Sequence, residues 1–561
     1  MATTLLPDLG DLARLSYRDA FARAVAEHRV RPLILPYSLL GPFILCPLWL
    51  AIPHTNRPWL YHTRWLVIGL VVVVDLDIIL STSSRNVACA YGAGLMGLWG
   101  ILLTFDLLVW SRPQFDAARA VLLPKSTNVG VTANGPNPRG GEMGDGTGDG
   151  AGDGTDIEGP RENGLRQRIP DSVATSDSHV HVVAKASRND EMPQHKDPDY
   201  VWQPFPEDGS FLQRLNWSMD FVTNYRCIGW NRSVPSVPLP QIPARIRAGD
   251  PVSLHGMPVV SRSGYRRSLT KSEFIWARVR TVAALYLVLD FLAVFMVKDP
   301  YFIYGPDRSD GHSLPPFLSR LPSWALLTYR ELFSLAGFLA AIAAIFNLHD
   351  ILQYYVFSHI FPIRGELWQY TSIFGSFSQV LDRGLAGWWG AWWHQTFRLQ
   401  FSSPATYLIR KRYLSKGTLT AQIVTMFVSF FQSGLLHASG SQSSMPNTKI
   451  WRSPAFFVLQ PPGIMVQQSL NRVMDIYLPR IPKIFRQAFN LLFTLAWLQV
   501  TAQLFCDDIA STGLWLLEPV PISPFRWLGF GHPNDHWWRW NRELLPMWYS
   551  GDYWWTSGLQ I

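Results

Sequence analysis

Residues 423–437 read IVTMFVSFFQSGLLH, an apolar run with no charged residue before its terminal histidine. Such a run predicts a helix within a lipid bilayer, although a full crossing needs about 20 mostly apolar residues. A titratable group in lipid is costly, so His437 indicates a function that a leucine could not perform. His437 is therefore the first candidate for a catalytic residue.

Several further apolar segments are long enough to span a bilayer, and only 16% of the 561 residues are charged, against roughly 25% in soluble domains. They are residues 33–52, 65–80, 87–110, 275–297, 325–348 and 488–506. Two more, 454–466 and 509–520, are short or interrupted by proline. The pattern predicts an all-α polytopic membrane protein with about seven to nine transmembrane helices.

A long polar insertion separates the first apolar segments from the rest. Its residues 144–155 read GDGTGDGAGDGT, which has nothing apolar to bury and predicts disorder. A calcium-binding repeat is disfavoured because the nonapeptide period and its apolar position are missing. We expect N-terminal membrane helices over 1–121, a disordered linker over 122–200, a partly ordered aromatic segment over 201–271 and a second membrane domain over 272–561.

Charge and cysteine content exclude other classes of protein. The net charge of +8 comes from basic residues that border apolar spans, which indicates cytosolic flanks rather than a nucleic-acid partner. The four cysteines are far apart and form no C-x-x-C pair, so neither a zinc site nor a disulfide framework is expected. Membrane lipids are the expected surroundings.

A second histidine follows a tryptophan-rich run, WWGAWWHQ at 388–395. On a continuous helix His394 and Arg398 would share a face, flanked by indole rings. Arg398 and the later Arg410-Lys411-Arg412 supply positive charge suited to an anionic ligand with a polyphosphate head. Spacing alone slightly favours the alternative, an interfacial histidine in a tryptophan belt.

The surroundings of His437 favour chemistry more strongly. Ser433 lies one helical turn before it, and Gly434 allows close backbone approach. A neutral imidazole in a site of low dielectric constant can accept a proton from an alcohol near pH 7. The alternative is a capping histidine at a helix C-terminus.

Together these motifs carry a family resemblance. Trp389-Gly390-x-x-Trp393-His394-Gln395-x-x-Arg398, followed by Phe431-x-Ser433-Gly434-x-x-His437, resembles the wax synthase-like family of membrane-bound O-acyltransferases. It is most similar to the fungal branch that acetylates hydroxyls of terpenoid and meroterpenoid metabolites. Residues 368–385 and 99–113 fit the same family, and only about 122–200 falls outside the resemblance.

The resemblance implies a catalytic membrane domain over 272–561, acyl-CoA (acetyl-CoA) as co-substrate, a lipophilic alcohol as acceptor, and no bound cofactor or metal. It implies that His437 is the general base and that His394 with Gln395 polarises the thioester or orients the donor. It also implies a multi-pass location in the endoplasmic reticulum. The expected donor-binding residues are Trp389, Trp393, Gln395, Arg398, Arg410, Lys411, Arg412 and Ser433.

One departure and two alternatives remain open. The family usually carries a basic residue where this chain has Ala391-Trp392, so donor affinity or choice is expected to differ. Within the class, the acceptor could instead be a fatty alcohol or diacylglycerol. Outside enzymology, the chain could be a multispan transporter or scaffold, for which Asp75, Asp77 and Asp106 are the best intramembrane candidates.

Overall fold

Helices dominate the computed structural model, which describes residues 8–123, 200–446 and 448–561. From the N-terminus they are α1 Leu9–Ala26, α2 Cys46–Leu50, α3 Pro58–His62, α4 Arg64–Ser81, α5 Val87–Phe105, α6 Pro113–Asp116, α7 Phe211–Val222, α8 Lys271–Met296 and α9 Pro300–Tyr304. They continue with α10 Pro316–Ser319, α11 Ser323–Tyr355, α12 Ser378–Gly387, α13 Arg398–Arg410, α14 Leu419–Ser443, α15 Arg452–Val458, α16 Gln460–Tyr477, α17 Lys483–Ser511 and α18 Pro524–Trp527. The predicted all-α class is confirmed.

Five helices of the described chain are long and apolar enough to cross a membrane. They are Val87–Trp110, Lys271–Met296, Ser323–His359, Leu419–Ser443 and Lys483–Ser511. A multi-pass membrane protein is thus supported, and the predicted number of seven to nine spans is not confirmed.

Two of the predicted spans, both before residue 87, are not among these five helices. Residues 33–52 do not form one helix, because three prolines interrupt them and the apolar helix Gly41–Leu50 is too short to cross. Residues 65–80 do form a helix, α4, but it carries Arg64, Asp75 and Asp77 and is not among the five.

Polar caps set the start of the long helices. The Thr418 side chain accepts a hydrogen bond from the Ala421 N–H at 3.2 Å, which satisfies one of the free donors at the start of α14. Asn86 caps α5 in the same way. Because α14 continues to Ser443, His437 lies inside the helix, and the alternative of a C-terminal cap is wrong.

The strands are short and join distant parts of the chain. β1 (Arg31–Pro32) pairs in parallel with β3 (Thr82–Ser83), and β2 (Ile34–Leu35), β7 (Gly558–Gln560) and β6 (Met547–Tyr549) form an antiparallel sheet. β4 (Ala118–Leu122) pairs antiparallel with β5 (Tyr200–Pro204), which brings together the two ends of the insertion. The Gly/Asp tract predicted as a linker lies outside the described residues.

The aromatic segment 201–271 packs into the helical body. Trp217 and Trp230 are buried in one core cluster with Trp99 and Leu103 of α5. The described residues form one compact unit. The boundary predicted at residue 271 coincides with the start of α8 rather than with a gap between separate bodies.

Candidate active site

Small residues bring α5 and α14 into close contact. A Cβ at Gly94 would lie 1.8 Å from the Ser439 carbonyl oxygen, and one at Gly440 would lie 2.8 Å from the Tyr91 ring. The Gly94 N–H donates to Ser443 Oγ at 2.9 Å. Such close packing by small residues is typical of helix pairs in membranes. It places the Tyr91 hydroxyl against the His437 ring.

The His437 ring is held on three sides. Its Nδ1 atom is 2.8 Å from the Tyr91 hydroxyl oxygen. Its ring stacks on Phe457 of α15, with centroids 5.2 Å apart and planes 5° apart, and meets Phe505 of α17 nearly edge-on at 4.9 Å. Nε2 makes no hydrogen bond with the described residues and is not sealed from its surroundings. The imidazole is therefore oriented, with one nitrogen free to act.

The two motif residues before His437, Ser433 and Gly434, have different roles. A Cβ at Gly434 would lie 2.6 Å from the Pro454 Cα, so only glycine lets α15 approach closely enough to place Phe457 against the imidazole. Ser433 is half-buried and has no hydrogen-bond partner within the described chain. It is available to a bound substrate.

His394 lies in a break between helices, contrary to the prediction of a continuous helix. A π-helical turn covers Trp388–Trp392, Trp393 is extended, and α13 begins only at Arg398. The physical reason is competition for carbonyl groups. The Gly375 N–H donates to the Trp392 carbonyl at 2.9 Å, and the Tyr265 hydroxyl donates to the Trp393 carbonyl at 2.9 Å.

Gln395 fixes the shape of this break. Its Nε2 donates to the carbonyls of Trp389 (3.0 Å) and Trp393 (2.7 Å), and its Oε1 accepts from Arg398 Nη1 at 2.8 Å. Arg398 Nη1 also donates to the Gly390 carbonyl at 2.8 Å. Both amide hydrogens are occupied, so Gln395 holds the loop in this structure, and its contact with the donor stays a prediction.

The His394 ring is enclosed by aromatic side chains. Its centroid lies 5.5 Å from Trp393, 6.0 Å from Phe346 and 6.1 Å from Phe397. Its Nδ1 is buried without a hydrogen-bond partner in the described structure. Burial, then the charges of Arg226 and His437, lower the pKa of His394 to about 3. His394 is therefore neutral at physiological pH and can donate an N–H.

A chain of aromatic contacts joins the two histidine motifs. Trp389 contacts Trp393 at 5.7 Å and Phe457 at 6.0 Å, and Phe457 stacks on His437. Trp389 Nε1 also donates to Gln460 Oε1 at 3.2 Å. The residues predicted as one site are thus brought together through Trp389, although some forty residues separate them in sequence.

A pocket of about 80 Å³, lined by both polar and apolar side chains, adjoins His394 and was not predicted from the sequence. Phe346 and Thr396 line it beside the histidine, with Arg226 and Arg364 among its other walls. Arg364 pairs with a buried carboxylate, Asp220, at 2.7 Å. In the sequence, the only signal of this pocket was the basic residue Arg226. Its segment becomes part of the pocket wall only through tertiary packing.

Arg226 gives this pocket a positive charge. Its guanidinium donates to Thr371 Oγ1 and to the carbonyls of Ser372 and Ile373 at 2.9–3.0 Å, all of them neutral acceptors. No carboxylate pairs with it among the described residues. Asp350 lines the same pocket but is paired with Arg278 at 2.9 Å, so an anionic group there would meet the Arg226 guanidinium beside a carboxylate that already has a partner.

The remaining basic candidates are not brought together. Arg398 lies at the start of α13 and Arg410, Lys411 and Arg412 at its end, about 18 Å away at a rise of 1.5 Å per residue. Arg410 donates to the Trp110 carbonyl at 2.8 Å. All four are exposed, so the second group forms a surface patch apart from both histidines.

The departure at Ala391-Trp392 has a structural counterpart. Ala391 is completely buried, so a basic side chain there would lose its hydration. Trp392 instead packs on Phe374 at 5.8 Å and on Phe377 at 5.3 Å. Aromatic packing therefore replaces a positive charge beside the loop.

The carboxylates that a transporter could use are mostly engaged in structural contacts. Asp106 accepts from Arg232 at 2.5 Å and from Ser403 at 2.6 Å, which ties α13 to the end of the third predicted span. Asp77 pairs with Arg31. Asp75 alone is buried with no partner in the described chain.

Comparison with known proteins supports the class of enzyme. Residues 370–459 match the model of the membrane bound O-acyl transferase family, a segment that contains both histidines. The chain is 24% identical to acetyltransferase eriL of Hericium erinaceus over 56% of its own length and 71% of the relative's. It is 23% identical to O-mevalon transferase yanI of Aspergillus niger and to acetyltransferase ple2 of Rhodocybe pseudopiperita.

The last two alignments cover 41% and 42% of this chain and about half of each relative, 46% and 50%. No solved structure gives a significant match. The family and the relatives confirm the resemblance to membrane-bound O-acyltransferases of fungal secondary metabolism. An O-acyltransferase, and more narrowly an acetyltransferase, is the enzyme class that these matches support.

Proposed function

We propose that this membrane-bound O-acyltransferase transfers the acetyl group of acetyl-CoA to a hydroxyl of a lipophilic, terpenoid-type alcohol, with His437 as general base. The observation that carries the proposal is the meeting of the two histidine motifs at Trp389 and Phe457. His437 has a free Nε2 there, in aromatic surroundings from which bulk water is largely displaced.

In the first step, His437 Nε2 takes the proton of the alcohol as its oxygen attacks the thioester carbonyl carbon. A tetrahedral intermediate forms and collapses when the C–S bond breaks. The imidazolium returns its proton to the departing sulfur, so the products are the acetate ester and free CoA. General-base assistance of this kind contributes about 10²–10⁴-fold, and holding the two substrates together supplies much of the rest.

His394 acts on the electrophile, the thioester carbonyl of the donor. A neutral imidazole donates one N–H, and the thioester oxygen gains negative charge as the intermediate forms. The low pKa of His394 means that the imidazole performs this role without titrating near neutrality. Gln395 holds the loop that carries it, and Arg398 braces that loop through Gln395 and Gly390.

The donor's anionic part binds in the pocket beside His394, at the guanidinium of Arg226. Arg226 offers a guanidinium whose present partners are all neutral, and phosphate is a good bidentate acceptor for such a group. The exposed patch of Arg410, Lys411 and Arg412 lies farther along α13 and would attract acyl-CoA only at long range. Trp393 and Ser433 complete the donor's surroundings.

The acceptor's apolar body suits the aromatic wall around His437. Phe457 and Phe505 contact the imidazole, and Phe456 packs on both. Rigid rings of this kind fit a polycyclic alcohol. The relatives eriL and ple2 are named as acetyltransferases, which supports acetyl over longer acyl groups.

Microsomes containing the protein test the proposal, since the endoplasmic reticulum is its proposed location. Labelled acetyl-CoA is supplied with hydroxyl-bearing terpenoids, long-chain alcohols and diacylglycerol in parallel. Label in a terpenoid ester above the control membranes supports the proposal. Label only in long-chain esters would move the protein to wax or neutral-lipid synthesis, and no label in any ester would overturn acyl transfer.

A further inference from the structure

Gln460 is a fully buried glutamine that belongs to none of the sequence motifs. It is the first residue of α16, and its side chain meets three other segments of the chain at once. Oε1 accepts a hydrogen bond from the Trp389 indole at 3.2 Å. Nε2 donates to the Phe456 carbonyl at 2.9 Å and to Thr501 Oγ1 at 3.3 Å. Both the oxygen and the nitrogen of this amide therefore have partners.

These partners allow the Gln460 amide only one orientation. The Thr501 hydroxyl donates its hydrogen to the Trp497 carbonyl at 2.8 Å, so Oγ1 can only accept from the amide. The Phe456 carbonyl also only accepts, and an indole N–H only donates. Exchanging the amide oxygen and nitrogen would break all three hydrogen bonds. Oε1 is thus committed to Trp389.

One of the three segments is the loop of His394. The Trp389 carbonyl accepts from Gln395 at 3.0 Å, so Trp389 is bonded to the loop at its backbone and to Gln460 at its indole. The Trp389 ring also contacts Trp393, the residue before His394, at 5.7 Å. A displacement of the indole is therefore transmitted to the loop through both contacts.

The other two segments form the walls of His437. The residue after Phe456 is Phe457, whose ring stacks on the imidazole. Thr501 lies one helical turn before Phe505 on α17, and Phe505 meets the imidazole nearly edge-on. One amide thus links the walls of one histidine to the loop of the other.

We infer that Gln460 is a positioning residue that holds the His394 loop at a fixed place relative to His437. The inference rests on the proposed function, because it assigns the spacing between that oxyanion donor and that base. Both imidazoles must act at one thioester carbonyl, and a displacement of about 1 Å can cost about 10²-fold in rate. Because Gln460 is fully buried, it acts through Trp389 rather than by contact with a substrate.

Gln460→Met and Gln460→Glu test the inference in full-length protein in microsomes. Methionine keeps the volume but removes all three hydrogen bonds, so kcat should fall by about 10–10²-fold. The KM for acetyl-CoA should stay within about threefold, since the residue does not contact the donor. Glutamate should keep kcat within about threefold, because a carboxyl group buried there stays neutral, donates through its hydroxyl and still accepts from Trp389.

Gln114 offers a matched control, since it is a buried glutamine with the same set of hydrogen bonds. Its Nε2 donates to the carbonyls of Leu50 at 2.7 Å and Ile52 at 2.9 Å, and its Oε1 accepts from the His54 N–H at 3.0 Å. Gln114→Met should keep wild-type kcat per inserted molecule. An equal fall of kcat in both methionine variants would mean that any buried amide of this kind matters, and would overturn the inference.

A double variant separates positioning from general damage to the fold. Added to His394→Ala, Gln460→Met should lower kcat by no more than about threefold further, because the loop then carries no imidazole to position. A loss that multiplies in full would show that Gln460 acts independently of the loop, and would also overturn the inference.

The indole signal of Trp389 gives a readout that needs no substrate. In protein labelled with ¹⁵N-tryptophan and reconstituted in lipid, the signal missing from Trp389→Phe identifies this indole. Gln460→Met should move its N–H signal upfield and speed its exchange with solvent, whereas Gln460→Glu should leave it near the wild-type position. An unmoved signal in Gln460→Met would overturn the inference. The predicted shift without ester formation by the wild type would instead count against the proposed function.

Discussion

The two histidines occupy opposite kinds of surroundings. His437 lies inside a continuous helix, with Nδ1 bonded to Tyr91 and its ring stacked on Phe457. His394 lies where the helix is broken, and its Nδ1 is buried without any hydrogen-bond partner in the described chain. One imidazole is held by its side-chain contacts, and the other by the backbone loop that carries it.

This difference separates their roles. A base must present the same nitrogen to each substrate, which requires a fixed ring and tautomer. The partners that hold His437 are the Tyr91 hydroxyl and the Phe457 ring. A donor to a developing oxyanion needs a fixed position and a neutral ring. His394 gains its position from the Gln395 bonds and its neutrality from burial beside Arg226.

His437→Ala should cause the largest loss. Removing the general base should lower kcat by about 10²–10⁴-fold, because the proton of the alcohol then has no acceptor positioned to take it. Transfer of labelled acetate in microsomes, normalised to inserted protein, measures the effect. Gln422→Ala on the exposed start of α14 serves as the control. Wild-type turnover in His437→Ala would assign the base elsewhere.

His394→Ala should cost less, about 10²-fold in kcat, as for the loss of one donor to an oxyanion. Because the pKa of His394 is about 3, the shape of the pH–rate profile between about pH 5 and 8 should not change in the variant. A shift of the acid limb of that profile would mean that His394, not His437, titrates as the base.

Gln395→Leu should act through the loop. The change removes two amide donors from the carbonyls of Trp389 and Trp393 and the acceptor of Arg398, with an expected destabilisation of about 1–3 kcal/mol. Thermal unfolding in detergent and a fall in kcat/KM of about tenfold check it. Unchanged stability together with lost activity would indicate instead that Gln395 contacts the donor directly.

Neutralising the surface patch should have the smallest effect. Glutamine at Arg410, Lys411 and Arg412 should raise the KM for acetyl-CoA by no more than about threefold, with a weaker dependence on salt. The matched variant is Arg226→Gln in the pocket, which should raise KM more at every salt concentration. The reverse order would place the phosphates at the patch.

The features predicted correctly from the sequence are those that periodicity and motif spacing determine. The long helices after residue 270, the insertion with ordered aromatic residues at its end, and the packing role of Gly434 are local properties of the chain. The break at Trp393 is not, because it depends on Gly375 and Tyr265 capturing carbonyls from other segments. The prediction that His394 and Arg398 share one face of a continuous helix is therefore wrong.

The partners of the site could not be read from sequence for the same reason. Tyr91 lies in an apolar helix far from both motifs, and only helix packing brings it to α14. Residues 33–52 were misjudged differently, because their hydropathy is that of a span while their prolines prevent a long helix. Proline content was visible and should have outweighed hydropathy.

The most direct test of a single site with two distinct histidines is the acetyl-transfer rate of the double variant His437→Ala/His394→Ala. Residues that act as one unit lose their effects non-additively. We expect the double variant to be no more than about threefold slower than His437→Ala alone, because the oxyanion donor has little to stabilise once the base is gone. Losses that multiply in full would contradict the account, since the histidines would then act independently.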